Sequence, residues 1–285
     1  MGYWKMALLV VIAIGLAGPA FSGELVIPME NGWINWSART LHARGTGVPS
    51  TDIARTPRAR DEAFRKAGRQ AYQNLLKTVT SMRLTSTMTV KDLVANKDYL
   101  LSNIEQMLND ARIESTRYHS DGTVEIVKRM PVTGALSQLI LPESIVQLEM
   151  KRLGRETPDD NRIVYTGLVV DARGVILSPA LCFKIVDEKL QEVYGPAYAS
   201  REYAVQRGLC EYRTEISDIG TVDRIGKNPL IVRGLKAMET GGADIIISNT
   251  DASRVRSTVE HLFFLRECQV LVIVDPSVVV KAPSK

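Results

Sequence analysis

The chain is poor in the residue types from which catalytic centres are usually recognised. Of its 285 residues only three are cysteines, Cys182, Cys210 and Cys268. They form no Cys-x-x-Cys pair and lie far from the histidines, which excludes the common zinc spacings. Three thiols allow at most one internal disulfide. Whether any pair forms is open, and as free buried thiols they would act as small apolar residues. His42, His119 and His261 show neither His-x-x-x-His nor His-Glu-x-x-His spacing and read as surface or strand histidines. No Gly-x-Ser-x-Gly elbow is present. Gly45-Thr46-Gly47 lacks the third glycine and the strand-turn-helix setting of a dinucleotide loop. Asp159-Asp160 fall in a presumed linker, a poor place to tune an acid–base pair. No catalytic residue, cofactor-binding residue or metal ligand is therefore assigned, and no cofactor is expected. The formal net charge of +4 is too small to imply nucleic acid without a concentrated patch.

The most informative stretch present is the first. Lys5 precedes a charge-free apolar run, Met6 to Gly18, which Pro19 ends; Ala20 and Ser22 then place small residues before Gly23. Those are the three regions of an export signal. The run is short of the roughly 20 residues that span a bilayer, so cleavage before Gly23 is expected, with no transmembrane span in the mature chain. No cysteine sits just after the run, so anchoring through a bacterial lipoprotein cysteine is not expected.

After the signal, the periodicities predict an α+β protein of two small sheet-plus-helix domains. These are an N-terminal domain over residues 23–152 and a C-terminal domain over 163–275, followed by a tail at 276–285. Trp33 to Arg44 reads as a first strand and Gly45 to Asp52 as a turn-rich connection. A helix over 57–80 opens on Pro57, with Ala63, Ala67, Ala71, Leu75 and Val79 recurring every four residues. Their small size suits close packing on a sheet. Arg58, Arg60, Arg65, Lys66, Arg69 and Lys77 lie opposite; with Asp61 and Glu62 among them they read as a solvated face. Arg83 to Thr89 reads as a second strand. Thr89, with Asp92, caps a second helix, and two helices are expected on one sheet face. Ile113 to Tyr118 and Thr123 to Met130 form a hairpin through Ser120-Asp121-Gly122.

A short helix is expected near 144–151 and a domain boundary at 154–162. Beyond it, 163–170 and 181–186 read as strands and 203–216 as a mixed helix. Residues 243–248 and 268–274 read as buried strands joined by a helix capped at Thr250-Asp251, a connection suited to parallel pairing. Asp171-Ala172-Arg173-Gly174 closes a strand and reads as a turn with Gly174 at positive φ. It is also where an enzymatic alternative would rest, a hydrolase of envelope substrates using Asp171 and Arg173.

The segment Ala59 to Leu76 (ARDEAFRKAGRQAYQNLL), set between a strand and a TV-rich continuation, resembles the LPP-type bacterial outer-membrane lipoproteins and the N-terminal domain of flagellar assembly protein T. The resemblance covers about 38–132. The segments 166–174, 178–195, 243–256 and 264–275 resemble a second part of uncharacterised exported relatives. Neither group carries agreed catalytic residues, so none is transferred. The resemblance implies a non-enzymatic periplasmic protein of the cell envelope, peripheral to the outer membrane, acting in an envelope or flagellar assembly. Its implied partners are envelope or flagellar proteins, or a second copy of the chain, and not nucleic acid.

Overall fold

The computed structural model describes residues 23–50, 56–143, 145, 164–215 and 222–279. The export signal, the helix near 144–151 (Ile145 apart) and the boundary at 154–162 lie outside them. The fold is α+β in two domains.

The N-terminal sheet has the order β1-β2-β3-β5-β4, every neighbour antiparallel. The single strand expected over 33–44 is two strands, β2 (Gly32–Asn35) and β3 (Thr40–Gly47), because the chain reverses at 36–39 with Arg39 at φ 54°. β1 (Val26–Pro28) precedes them. The hairpin β4 (Arg112–Tyr118) and β5 (Val124–Pro131) forms as expected, with Gly122 at φ 87°.

The long helix α1 (Pro57–Ser81) is capped by Thr56 and buries Ala63, Ala67, Ala71, Leu75 and Val79. Gly45 and Gly47, expected in a turn, belong to β3 and face this stripe. A Cβ on Gly47 would stand 1.9 Å from the Ala63 carbonyl oxygen. Glycine is needed there so that helix and strand backbones can touch.

The expected second helix is two, α2 (Val90–Val94) and α3 (Asp98–Asn109), and the capping box of Thr89 and Asp92 is formed. α3 packs against α1 and against α4 (Ala135–Ile140). Residues 83–89 are not a strand but a tight loop closed by one Arg83–Thr89 bridge.

The C-terminal sheet has the order β8-β7-β11-β10-β6-β12-β9. Its elements are β6 (Gly167–Asp171), β7 (Ile185–Val186), β8 (Glu192–Tyr194), α5 (Arg201–Arg207), β9 (Glu211–Arg213) and β10 (Pro229–Ala237), then β11 (Ile245–Ile247), α6 (Asn249–Val255), α7 (Val259–Arg266) and β12 (Val270–Ile273). β10, β6, β12 and β9 are mutually parallel. β6 and β12 are covered on both faces, which explains their unbroken apolar sequences.

Several expectations fail here. β11 and β12 are not a parallel pair: β10 and β6 lie between them, and β11 runs antiparallel to β10 and hence to β12. The cap is Ser248, whose side chain accepts from Asp251 N–H, and the helix breaks at 256–258. The expected helix over 203–216 ends at Arg207 and gives way to β9. The expected tail begins with a 3-10 turn, Pro276–Val278, capped by Asp275.

The domains share one hydrophobic core, running from Leu25, Trp36 and Leu84 to Phe183, Tyr212 and Val272. The Trp36 ring meets Tyr212 edge-on at 5.7 Å. The loop at 83–86 docks by backbone: Arg83 and Leu84 carbonyls accept from Leu181 and Cys182 N–H at 3.1 and 2.7 Å. Ser86 Oγ accepts from Ala243 and Asp244 N–H. Just before β1, Glu24 bridges Arg213, the last residue of β9, so the segment leading into β1 joins one sheet to the β9 edge of the other.

Candidate functional site

Alternation along β3 puts Leu41, Ala43, Gly45 and Gly47 against α1, and Thr40, His42, Arg44 and Thr46 on the opposite face of the sheet. On that outer face Trp33 of β2, directly opposite His42, stacks on the imidazole with ring centres 4.7 Å apart and planes 9° from parallel. His42 Nδ1 lies 2.8 Å from Glu114 Oε2, and Nε2 lies 2.8 Å from Thr40 Oγ1. A carboxylate only accepts, so Nδ1–H donates to Glu114 and Nε2 accepts from the Thr40 hydroxyl. Burial pushes the His42 pKa below its ordinary value, against the pull of Glu114.

Hydroxyl, imidazole and carboxylate thus follow the order of a nucleophilic triad. Thr40 is only 4% exposed, so no substrate carbonyl reaches its oxygen. The relay links two distant parts of the sheet. Glu114 sits where the β4–β5 register shifts, between Ile113 and Ser115, and His42 ties that bulge to the middle of the sheet. Beside it Glu125 lies 3.5 Å from Arg44 and 3.7 Å from Arg117. His42 was read from sequence only as a surface or strand histidine, and Thr40, Trp33 and Glu114 were not singled out. The Thr40-x-His42 spacing puts two polar groups on one strand face, which is a signal, but Glu114 is 72 positions away.

The relay borders a free edge. Among the described residues β4 is the outermost strand of its sheet, flanked only by β5, and six of its seven residues are exposed. Ile113 is 48% and Tyr118 57% exposed. At the other side of the same sheet, the segment before β1 is bridged to the second domain as described above. In the second sheet the outer strand β8 has only three residues.

The other sequence candidates do not converge. Asp171 and Arg173 form the expected strand-end turn, with Gly174 at φ 81°. The guanidinium holds both carboxylate oxygens, at 2.8 and 2.6 Å. That pairing keeps the Asp171 carboxyl below its ordinary range. Among the described residues the pair's one charged neighbour in register is Arg233 of β10, and no second acid or histidine joins it.

His119 is exposed in the β4–β5 turn. His261, expected at the surface or on a strand, is fully buried in α7. It accepts from Tyr165 N–H through Nε2 and donates from Nδ1 to the Val255 carbonyl. Asp159-Asp160 lie outside the described residues. The three cysteines are free and buried, which fits their reading as small apolar residues. Among the described residues no group of three His, Cys, Asp or Glu is placed to hold a metal ion, and no helix is long and apolar enough to cross a membrane. A shallow crevice between Ile27, Met29, Trp36 and Arg83 has room for about one water rather than a substrate.

Fold and site together define a two-domain α+β protein whose distinctive surface is a sheet edge. Residues 31–139 match the family model of the N-terminal domain of Treponema pallidum Tp0624, and residues 167–276 match that of its second domain. The chain is therefore similar, in the same order, to two domains of that protein. No curated protein matches the chain.

Proposed function

We propose that this is an exported, non-enzymatic protein of the bacterial envelope, periplasmic and peripheral to the outer membrane, that acts in assembly by accepting a partner strand on β4. The observation that carries this reading is the exposed seven-residue edge, whereas at the other side of the sheet the segment before β1 is bridged to the second domain. Unpaired N–H and C=O groups along β4 supply affinity without any reactive group. The bulge at Glu114 and the charges of Arg112, Glu114 and Arg117 restrict pairing to a strand that complements them. The signal-like residues 1–22 and the resemblance of 59–76 to outer-membrane lipoproteins and flagellar assembly protein T support the compartment. They make flagellar motility the first phenotype to measure, with envelope or flagellar proteins, or a second copy of the chain, as the partners to seek.

The test compares a deletion strain complemented with edge variants and with Asp171→Ala. Ile113→Lys with Tyr118→Lys is expected to reproduce the deletion phenotype while the protein stays folded and exported, with its N-terminus at Gly23. Asp171→Ala is expected to complement fully. Loss of function from Asp171→Ala alone, in a folded and exported protein, would replace this reading with the hydrolase.

A further inference from the structure

We propose that the outer face of α1 binds a bilayer surface rich in anionic phospholipid, a site on the helix that meets the β4 edge only at Tyr118. The sequence suggests an ordinary solvated face because Asp61 and Glu62 accompany the cations. The structure distributes the charges differently. Glu62 is committed to Lys66 at 2.8 Å and to the Ser50 hydroxyl at 2.7 Å, and Asp61 is exposed beside it, so two acids stand among six cations and the face stays positive. Arg60 lies over the Tyr118 ring, 5.5 Å from its centre. Arg58, Arg65, Arg69 and Lys77 are exposed, and among the described residues none forms a salt bridge. At 1.5 Å per residue, positions 58 to 77 extend over about 28 Å of one helix. Arg58 and Arg60 also stand in the first turn, which contains no acid, where the helix dipole disfavours cations. An external anionic surface relieves both repulsions.

The shape favours a sheet-like anion over a polymer. The exposed positions of α1 contain no aromatic side chain on which bases could stack, and the face is a single convex helix. Apolar groups flank the end where α1 begins. Val48 is 61% and Tyr118 57% exposed, and their strands align there, Gly47 and Tyr118 both lying opposite Val124. A cationic helix with a tyrosine and an aliphatic side chain at its rim fits the headgroup layer of a membrane.

The test is sedimentation of the full chain with vesicles of phosphatidylcholine alone or with 30% phosphatidylglycerol (a composition of about that fraction suffices). The difference between the two removes any charge-independent affinity of the apolar run at 6–18. Each cation near an anionic surface contributes about fivefold to partitioning. The triple variant Arg65→Gln, Arg69→Gln, Lys77→Gln is therefore expected to lose about 100-fold of the phosphatidylglycerol-dependent binding. The control of equal charge, Lys91→Gln, Lys97→Gln, Lys236→Gln, should lose less than about threefold. Equal losses in the two triples, or no dependence on phosphatidylglycerol, would overturn the proposal. So would tighter binding to single-stranded DNA through the same three residues.

Discussion

Gly45 and Ala67 lie so close that a Cβ on the glycine would stand 2.2 Å from the alanine's carbonyl oxygen, and equally close to Ala71 N. The Gly-x-Gly pair that looks like a weak phosphate loop is a packing seam. Strand and helix approach until only backbone separates them, and the four-residue alanine repeat is the other half of the same contact.

The seam makes a sharp prediction. Gly45→Ala and Gly47→Ala should each destabilise the protein by about 3 kcal/mol or more, since overpacking here meets backbone rather than flexible side chains. Ala67→Asp and Ala71→Asp should cost about as much by burying an unpaired charge. Arg65→Ala and Arg69→Ala on the exposed face should change stability by under about 0.5 kcal/mol. Denaturant melts that found all six variants equally unstable would show the faces to be wrongly assigned.

This half of the molecule was legible because its signals are local. A period-four alanine stripe, a Thr-x-x-Asp cap and an Asp-Gly turn each specify structure within a few residues. In the second half the buried strands β6, β7, β11 and β12 and the turn at Gly174 were legible, but the strand order and β10 were not. β10 is the longest strand of its sheet, yet it opens on Pro229, carries the unbroken apolar run Leu230-Ile231-Val232 and then Gly234, so no element was read there. The apolar runs of β11 and β12 look alike in sequence, and nothing in them records that two other strands lie between. The edge role of β4 was invisible for the same reason: it depends on strand order, and its tie to His42 joins residues 72 positions apart.

His42 predicts a pH dependence. Burial lowers its pKa from the ordinary 6.5, so below that pH the unfolded chain takes up a proton that the folded chain refuses. Stability is therefore full above 6.5 and falls as pH drops below it, by at most about 1.4 kcal/mol per pH unit. His42→Gln, which has no proton to take up, should flatten this part of the profile in urea melts between pH 7 and 5. An unchanged slope in the variant would assign the dependence to other groups.

The cysteines predict inertness. Burial pushes the thiols of Cys182 and Cys210 up to about 12 and raises that of Cys268 as well. At pH 8 only about one thiol in ten thousand at the first two sites is a reactive thiolate. A thiol reagent should label none of the three in the native protein and all three after denaturation, with no mass deficit from a disulfide. Stoichiometric labelling without denaturant would contradict the buried placement.

The shared core predicts that two domains unfold as one. Ser37 Oγ accepts from Leu25 N–H and donates to the Tyr212 carbonyl, so one hydroxyl joins the first strand, the β2–β3 turn and β9. Next to it Arg39 reaches Glu211 at 3.4 Å, and from the other side Arg201 donates to the carbonyls of Gln138 and Pro142 at 2.9 Å. Fluorescence of Trp33 and Trp36, both in the N-terminal domain, should therefore follow the same transition as far-ultraviolet dichroism, which reports both domains. Trp36→Ala opens a cavity against Tyr212 and should cost about 3–5 kcal/mol. Ser37→Ala leaves the buried Leu25 N–H and Tyr212 carbonyl without this partner and should cost about 1–3 kcal/mol. Two separated transitions in the unmodified protein would mean that the interface contributes little. A lowered but still single transition in both variants is the outcome that a common core requires.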